Sequence, residues 1–309
     1  MKKIVALFMV CVMALSLMVG CGSKEGDDAI KVGAIYINRK DDTSGYTYAH
    51  HNGITKAMEN LGISSDNLYI IDNVPEDDIA VTNAIDNLAG KGCNIIFGIS
   101  FGYITAMAEA AEKEEYKDII FSHGTGYLSN DTNFNNYFGR IYQARYLAGI
   151  AAGMKLNEMI ESGKITAEEA KMGYVGAYTY AEVISGYTSF YLGAKSVCPS
   201  VTMEVQFTGS WYDEALEKEA ATKLLSNNCV LISQHADSMG APTACENAGV
   251  PNVSYNGSTQ SACPNTFIIS SRIDWAPYIK YICEQAMNGK EIATDWTGTI
   301  ATGSVVLTD

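Results

Sequence analysis

Few residues in this 309-residue chain are of types and spacings that could do chemistry. Gly98-Ile-Ser-Phe-Gly102 matches G-x-S-x-G, the turn that exposes a serine nucleophile between a strand and a helix. Ser100 is therefore a candidate for acyl-transfer chemistry, and a lipid-anchored serine hydrolase is one reading of the chain. Only three strands can be counted ahead of the turn, fewer than an α/β-hydrolase needs, and no Asp or His stands in a supporting context. The reading preferred is a glycine-bounded turn whose hydroxyl and backbone N–H groups face a bound ligand, without catalysis. The four histidines, His50, His51, His123 and His235, have neither H-E-x-x-H nor Cys/His spacing, so neither a metal site nor a cofactor is expected. His50 and His51 open a helix and read as solvated. His123 and His235 stand at strand ends, where an imidazole faces a ligand.

Aromatic residues recur at the same kind of position. Tyr46 and Tyr48 follow the first strand, Phe101 and Tyr103 the third, and Tyr127 the next. Trp211 and Tyr212 follow a later strand, Tyr255 ends another, and Trp275 follows the strand Phe267–Ser270. Repeated at strand ends, such rings form stacking platforms for a planar, neutral heterocycle, although sugars also stack on aromatics. Gln234-His-Ala-Asp-Ser238 adds amide, imidazole, carboxylate and hydroxyl groups directly after a strand, enough to read donors and acceptors on a ring edge.

The elements that must position these groups alternate. Val32–Ile37, Leu68–Ile71, Asn94–Phe97 and Asp118–Phe121 are short apolar runs that read as buried strands. Between them, Ile54, Ala57, Met58 and Leu61, then Val81, Ala84, Ile85 and Leu88, repeat at helical spacing. After an extended piece at Phe138–Ile141, a helix is expected to bury Leu147, Ile150, Ala151 and Met154. The order then restarts at Met172–Val175 and runs through three more strand–helix steps to Asn252–Tyr255. Two successive β-α series predict two parallel sheets covered by helices, with ligand beyond the carboxyl ends of the strands.

The chain carries 21 Lys+Arg against 35 Asp+Glu, a formal charge of −14, which repels nucleic acid and anionic lipid. No P-loop and no dinucleotide fingerprint is present. Cys93 and Cys283 lie in apolar runs and read as buried thiols; pairing among Cys198, Cys229, Cys245 and Cys263 is left open. Lys2 and Lys3 precede the apolar segment Ile4–Val19, which is a leader rather than a spanning helix. Its end, Leu17-Met-Val-Gly-Cys21, resembles a bacterial lipobox, which implies lipidation of Cys21 and a body tethered outside the cytoplasmic membrane.

Taken in order, several segments resemble the basic membrane protein (Med-like) family, substrate-binding lipoproteins of ABC importers. They include Gly45-Tyr-Thr-Tyr-Ala-His-His-Asn-Gly53, Ile96–Tyr103, His123-Gly-Thr-Gly-Tyr127, Tyr137–Tyr142 with Tyr146–Gly149, Gly209-Ser-Trp-Tyr-Asp213, Ser233–Ser238 and Ser271-Arg-Ile-Asp-Trp275. The resemblance implies an α/β, two-lobed type I periplasmic-binding-protein fold, each lobe a parallel sheet covered by helices, with ligand in the interlobe cleft. It implies a leader at 1–20, a lipidated tether at 21–30, one lobe at 31–139 plus 270–296 and a second at 140–269 plus 297–309. The chain is expected to be C-terminally short. It also implies a purine nucleobase or nucleoside as ligand, riboflavin being the alternative heterocycle. The partners implied are a permease with its ATPase and a membrane reached through the lipid anchor. Neither a nucleic-acid partner nor an oligomer is implied; the protein is expected to be a monomer and not an enzyme. By motif, Trp211, Phe101, Tyr46 and Trp275 would box the ring, while Gln234, His235, Asp237, His123 and Thr125 would bind its edge or a sugar. Tyr48, Ser100 and Asn256 complete the expected set. Asn256 stands where the family usually has Asp, and the family's ribose-reading lysine near Ser271–Trp275 has no equivalent, Arg272 being the nearest cation; the resemblance thus implies a base without ribose.

Overall fold

The computed structural model describes residues 30–308, so the expected leader and Cys21 lie outside the described residues. Two six-stranded sheets form its frame. The first contains β1 (Val32–Tyr36), β2 (Leu68–Ile71), β3 (Ile95–Ile99), β4 (Ile120–Gly124), β5 (Phe134–Gly139) and β11 (Asp295–Gly298). Its order is β11-β5-β4-β3-β1-β2, and every neighbouring pair is parallel. The second contains β6 (Lys171–Gly176), β7 (Thr202–Phe207), β8 (Leu231–His235), β9 (Asn252–Tyr255), β10 (Phe267–Ile273) and β12 (Val305–Thr308), in the order β12-β10-β9-β8-β6-β7. Only β12 runs antiparallel to its neighbour.

The sequence explains why these strands are central. β1 and β3 are buried at every position, and a strand covered on both faces reads as a continuous apolar run rather than an alternation. Helices supply the covers. Against one face of the first sheet pack α1 (Gly45–Asn60) and α8 (Ala276–Met287), through Ile54, Ala57 and Met58 with Ile279 and Ile282. On the other lie α2 (Asp78–Gly90) and α3 (Ile104–Ala111), through Val81, Ile85, Leu88 and Met107. Asp77 caps α2 by accepting from the Ala80 N–H at 2.9 Å. The second sheet is covered by α4 (Tyr142–Glu161) and α5 (Ala181–Val197) on one face and by α6 (Glu214–Ser226) and α7 (Gly240–Ala248) on the other.

Two expectations are corrected here. The α4 face read from Leu147, Ile150, Ala151 and Met154 is the wrong one: Leu147 is 40% and Met154 61% exposed, while Ala144, Ala148, Ala152 and Leu156 are buried. Close packing on α5 is the reason. A Cβ on Gly149 would stand 2.1 Å from the Phe190 carbonyl oxygen, and one on Gly193 2.0 Å from that of Tyr146. Helices that approach so closely bury their small residues and turn large ones outward. Second, residues 270–273, expected in the first lobe, continue β10 in the second sheet, where Ser270–Ile273 pair with β12. The chain changes sheet after β5, after β10 and between β11 and β12. Cys198, Cys229, Cys245 and Cys263, whose pairing the sequence leaves open, are buried without disulfide bonds among the described residues, as are Cys93 and Cys283.

Candidate functional site

A cavity of about 500 Å³ opens where the carboxyl ends of both sheets face each other, a size ordinary for a small-molecule site. The first sheet contributes Ser100 and Phe101 after β3, Thr125 after β4, and Tyr46 from the first turn of α1. The second contributes Trp211 after β7, His235 and Asp237 at and beyond the end of β8, and Tyr255 at the end of β9. Seven of the expected residues thus share one cavity: Tyr46, Ser100, Phe101, Thr125, Trp211, His235 and Asp237. The strand-end rule for parallel sheets put them there.

Rings from both sides meet across this space. Phe101 and Tyr180 lie 5.3 Å apart between centroids, Tyr180 and Trp211 5.8 Å, and Tyr178 and Trp211 5.0 Å. The two sides also meet through a hydrogen-bonded cap. Asp237 Oδ1 accepts from the Tyr46 N–H at 2.8 Å, in the first turn of α1, and Ser44 Oγ donates to the Asp237 carbonyl at 3.4 Å. Gly45 makes the approach possible, because at φ +85° a Cβ there would lie 2.8 Å from Asp237 Cβ. Burial pushes the Asp237 carboxyl well above the usual carboxylate range, with the Tyr46 N–H pulling the other way.

On the first-sheet side the polar groups are committed within their own lobe. Ser100 Oγ donates to Glu76 Oε1 at 2.6 Å, and the Gly102 N–H donates to the same oxygen at 2.8 Å. His123 Nε2 lies 2.8 Å from the carbonyl oxygen of Ser100, not its hydroxyl. Ser100 itself is in ordinary extended backbone at φ −166°, not on a strained elbow. Nothing here assembles a serine–histidine pair. Thr125 does carry strain: its φ is +64°, unusual for a β-branched residue, and its Oγ1 donates to the Gly124 carbonyl at 2.8 Å.

The second-sheet side holds residues that the sequence reading missed. Tyr180, Glu182 and Ser185 line the cavity from the start of α5. Glu182 Oε1 has no hydrogen-bond partner among the described residues and sits 3.9 Å from His235 Nε2. Burial raises the Glu182 carboxyl to about 7, while the nearby Arg145 charge opposes the rise. His235 is held well below the usual histidine range, by burial first and by Arg145 second. The signal that could have found these residues was present. Tyr178 and Tyr180 follow β6 as Phe101 follows β3, the same kind of strand-end position.

Five expected residues are elsewhere. Trp275 is fully buried in the first-lobe core, stacked on His50 at 4.4 Å and edge-on to Tyr137 at 5.0 Å. His50 is accordingly buried rather than solvated, and burial lowers its imidazole to about 3. Tyr48 is two residues from Tyr46 on a helix, so it points to another face. His123 is buried behind the wall, where burial lowers it to about 4. Gln234 Nε2 donates to the carbonyls of Ala236 and Ser238 at 3.3 and 3.2 Å, holding the strand-end turn. Asn256, at φ +54°, accepts from the Ile273 N–H at 3.1 Å and fixes the crossover instead of lining the cavity. Among the described residues no cluster of His, Cys, Asp and Glu could hold a metal, and no helix is long and apolar enough to cross a membrane.

A family model described as "ABC transporter substrate-binding protein PnrA-like" matches residues 30–309. A purine-binding protein of Brucella abortus is 31% identical over 87% of this chain and 72% of its own length. A putative ABC transporter glucose-binding protein of Haloferax volcanii is also 31% identical, over 93% of this chain and 68% of its own. Among solved structures, a solute-binding protein of an ABC transporter system from Aeropyrum pernix superposes with a TM-score of 0.74 at 19% identity. That match covers 91% of this chain and 76% of the other. One from Conexibacter woesei gives 0.69 at 21%, covering 91% and 88%. At these identities the structural matches establish the two-lobed fold.

Proposed function

Because the chain belongs to the PnrA-like family of ABC transporter substrate-binding proteins, we propose that it captures an uncharged purine-type heterocycle between its lobes and delivers it to the permease. The supporting observation is the run of rings lining one cavity, Phe101 from one lobe in contact with Tyr180 of the other, which in turn lies against Trp211. Flat ligands stacked on such aromatic faces bury much of their surface and need polar contacts mainly at their edge. Glu182, His235 and Asp237 stand at that cavity to supply them. The purine-binding relative points the same way. The glucose-binding name of the other relative makes a sugar the competing ligand. A hexose presents hydroxyls on every side and needs hydrogen-bonding groups on both walls, whereas Ser100 is already committed to Glu76 and Thr125 to Gly124.

The protein works extracytoplasmically as part of an importer. We place its anchor at Cys21, on the Leu17–Cys21 sequence, with the thiol lipidated. Calorimetry of the mature chain with adenine, adenosine, guanosine, riboflavin, ribose and glucose tests the ligand class. Binding confined to the purines is expected; binding to glucose without any purine would overturn the reading. Cys21→Ala is expected to release the protein from membranes into the soluble fraction.

A further inference from the structure

The acid on the second wall is hard to explain by fold stability. Glu182 lies in the first turn of α5, where free backbone N–H groups favour negative charge. Its side chain is 16% exposed, and Oε1 is buried without a hydrogen-bond partner among the described residues. The 3.9 Å to His235 Nε2 is beyond hydrogen-bond reach. Behind it, Arg145 is fully buried, and Nε, Nη1 and Nη2 find no partner among the described residues. Its guanidinium rests instead on the ring faces of Tyr255, at 4.5 Å, and Tyr174, at 5.7 Å. Taking a carboxyl and a guanidinium out of water costs several kcal/mol each, and without a direct pair between them the fold regains little of it.

Among the other polar groups at this wall, Trp211 Nε1 and His235 Nδ1 also lack a partner among the described residues, but an indole N–H only donates and a neutral imidazole offers a single acceptor. Asp237 gives one oxygen to the Tyr46 N–H, and Ser185 Oγ donates to the Glu182 carbonyl at 2.7 Å. Glu182 is therefore the acceptor with most capacity left, at a cavity whose aromatic layers leave only a ring edge to be read. We propose that Glu182 selects the ligand by accepting a hydrogen bond from an exocyclic amine, so that an amino-substituted heterocycle is taken over its oxo counterpart. This rests on the heterocycle reading above. An oxo oxygen at that edge would meet the lone pairs of Glu182 and leave two buried acceptors unmatched, a mismatch that rejects a ligand strongly.

Adenine and hypoxanthine differ in this group and form the test. Titrated into the full mature chain at about pH 8.5, above the value of about 7 to which burial raises Glu182 and so with its carboxylate ionised, adenine is expected to bind at least about tenfold tighter, the scale of one hydrogen bond to a charged group. In Glu182→Gln the side-chain amide can donate to an oxo group, so the adenine-to-hypoxanthine ratio is expected to fall about tenfold. A ratio unchanged by Glu182→Gln would overturn the selection while leaving the heterocycle reading intact. If neither base, nor adenosine or guanosine, binds the wild type, both fall. Should Glu182→Gln lose its cooperative melt, the wild type decides alone through adenine against unsubstituted purine. Loss of about tenfold on removing the amine supports the proposal, and equal affinity overturns it.

Discussion

The two walls of the cavity occupy equivalent strand-end positions in two similar sheets, yet they are finished differently. On the first wall the lining hydroxyls are spent inside the lobe, Ser100 on Glu76 and Thr125 on the Gly124 carbonyl. Behind them Tyr103 donates to the Val74 carbonyl, and His123 faces the Ser100 carbonyl through Nε2, its Nδ1 without a partner among the described residues. On the second, the lining residues Glu182, Trp211 and His235 each carry a buried polar atom with no partner among the described residues. A wall whose hydrogen bonds are closed is a rigid platform; one that keeps them open can discriminate. On the proposed reading, stacking area comes from both lobes, while chemical choice is concentrated on the second.

The largest expected effect separates platform from core. Trp275 supports the first wall from beneath without touching the cavity, so Trp275→Ala is expected to destabilise the protein by about 3–5 kcal/mol. Urea unfolding measures this, and ligand affinity of the folded fraction should stay within about twofold. A large affinity loss with little change in stability would return Trp275 to the site. Next come Phe101→Ala and Trp211→Ala, one from each wall and both partly exposed. Each is expected to weaken binding by about 1–3 kcal/mol, the range for a ring stacked on an aromatic. If only one wall matters, stacking between lobes is wrong.

How much of this was legible in the sequence depends on which physical signal each residue carries. Strand order and strand ends were readable because buried parallel strands leave short apolar runs, and Phe101, Trp211 and His235 followed from them. Trp275 was misplaced because a strand-end aromatic and a core aromatic look alike until the packing partner, here His50, is known. The α4 face was inverted because Leu147 and Met154 outweigh alanines on any hydropathy count, whereas the Gly149–Phe190 and Gly193–Tyr146 approaches that decide the face are three-dimensional. Arg145 gave no local sign at all; a charged residue inside an amphipathic helix reads as solvated until its burial is seen.

Acidity probes the walls in opposite directions. His123, lowered to about 4, stays neutral when folded, so its share of stability is whole above about pH 6.5 and is lost as pH falls toward 4. Glu182, raised to about 7, binds a proton more readily folded than unfolded. Its burden is whole above pH 7 and lifts as pH falls toward 4.5. Between about pH 6.5 and 4.5 the two slopes oppose. Glu182→Gln removes one of them, so its stability is expected to drop more steeply on acidification than that of the wild type. The difference should reach at most about 1.4 kcal/mol per pH unit. Urea unfolding at pH 7, 6 and 5 measures it, and parallel curves would mean that Glu182 titrates normally.

The smallest effect asks whether the platform itself stores strain for function. Thr125 holds φ +64° at the end of β4, with its hydroxyl between the Gly124 carbonyl and the Tyr46 hydroxyl, which donates to it at 3.3 Å. A β-branched residue in that region costs about 1–3 kcal/mol, which glycine would relieve. Glycine in turn gives the unfolded chain about 0.5–1 kcal/mol more entropy to lose, and the long Tyr46 bond disappears. The opposing contributions predict that Thr125→Gly is unchanged in stability or gains up to about 1 kcal/mol, while ligand affinity falls severalfold as Tyr46 loses its anchor. A threonine kept only for folding would give the opposite pattern, lower stability with full affinity. In that case the first wall would be scaffold alone, and the division between platform and reader would be sharper than drawn here.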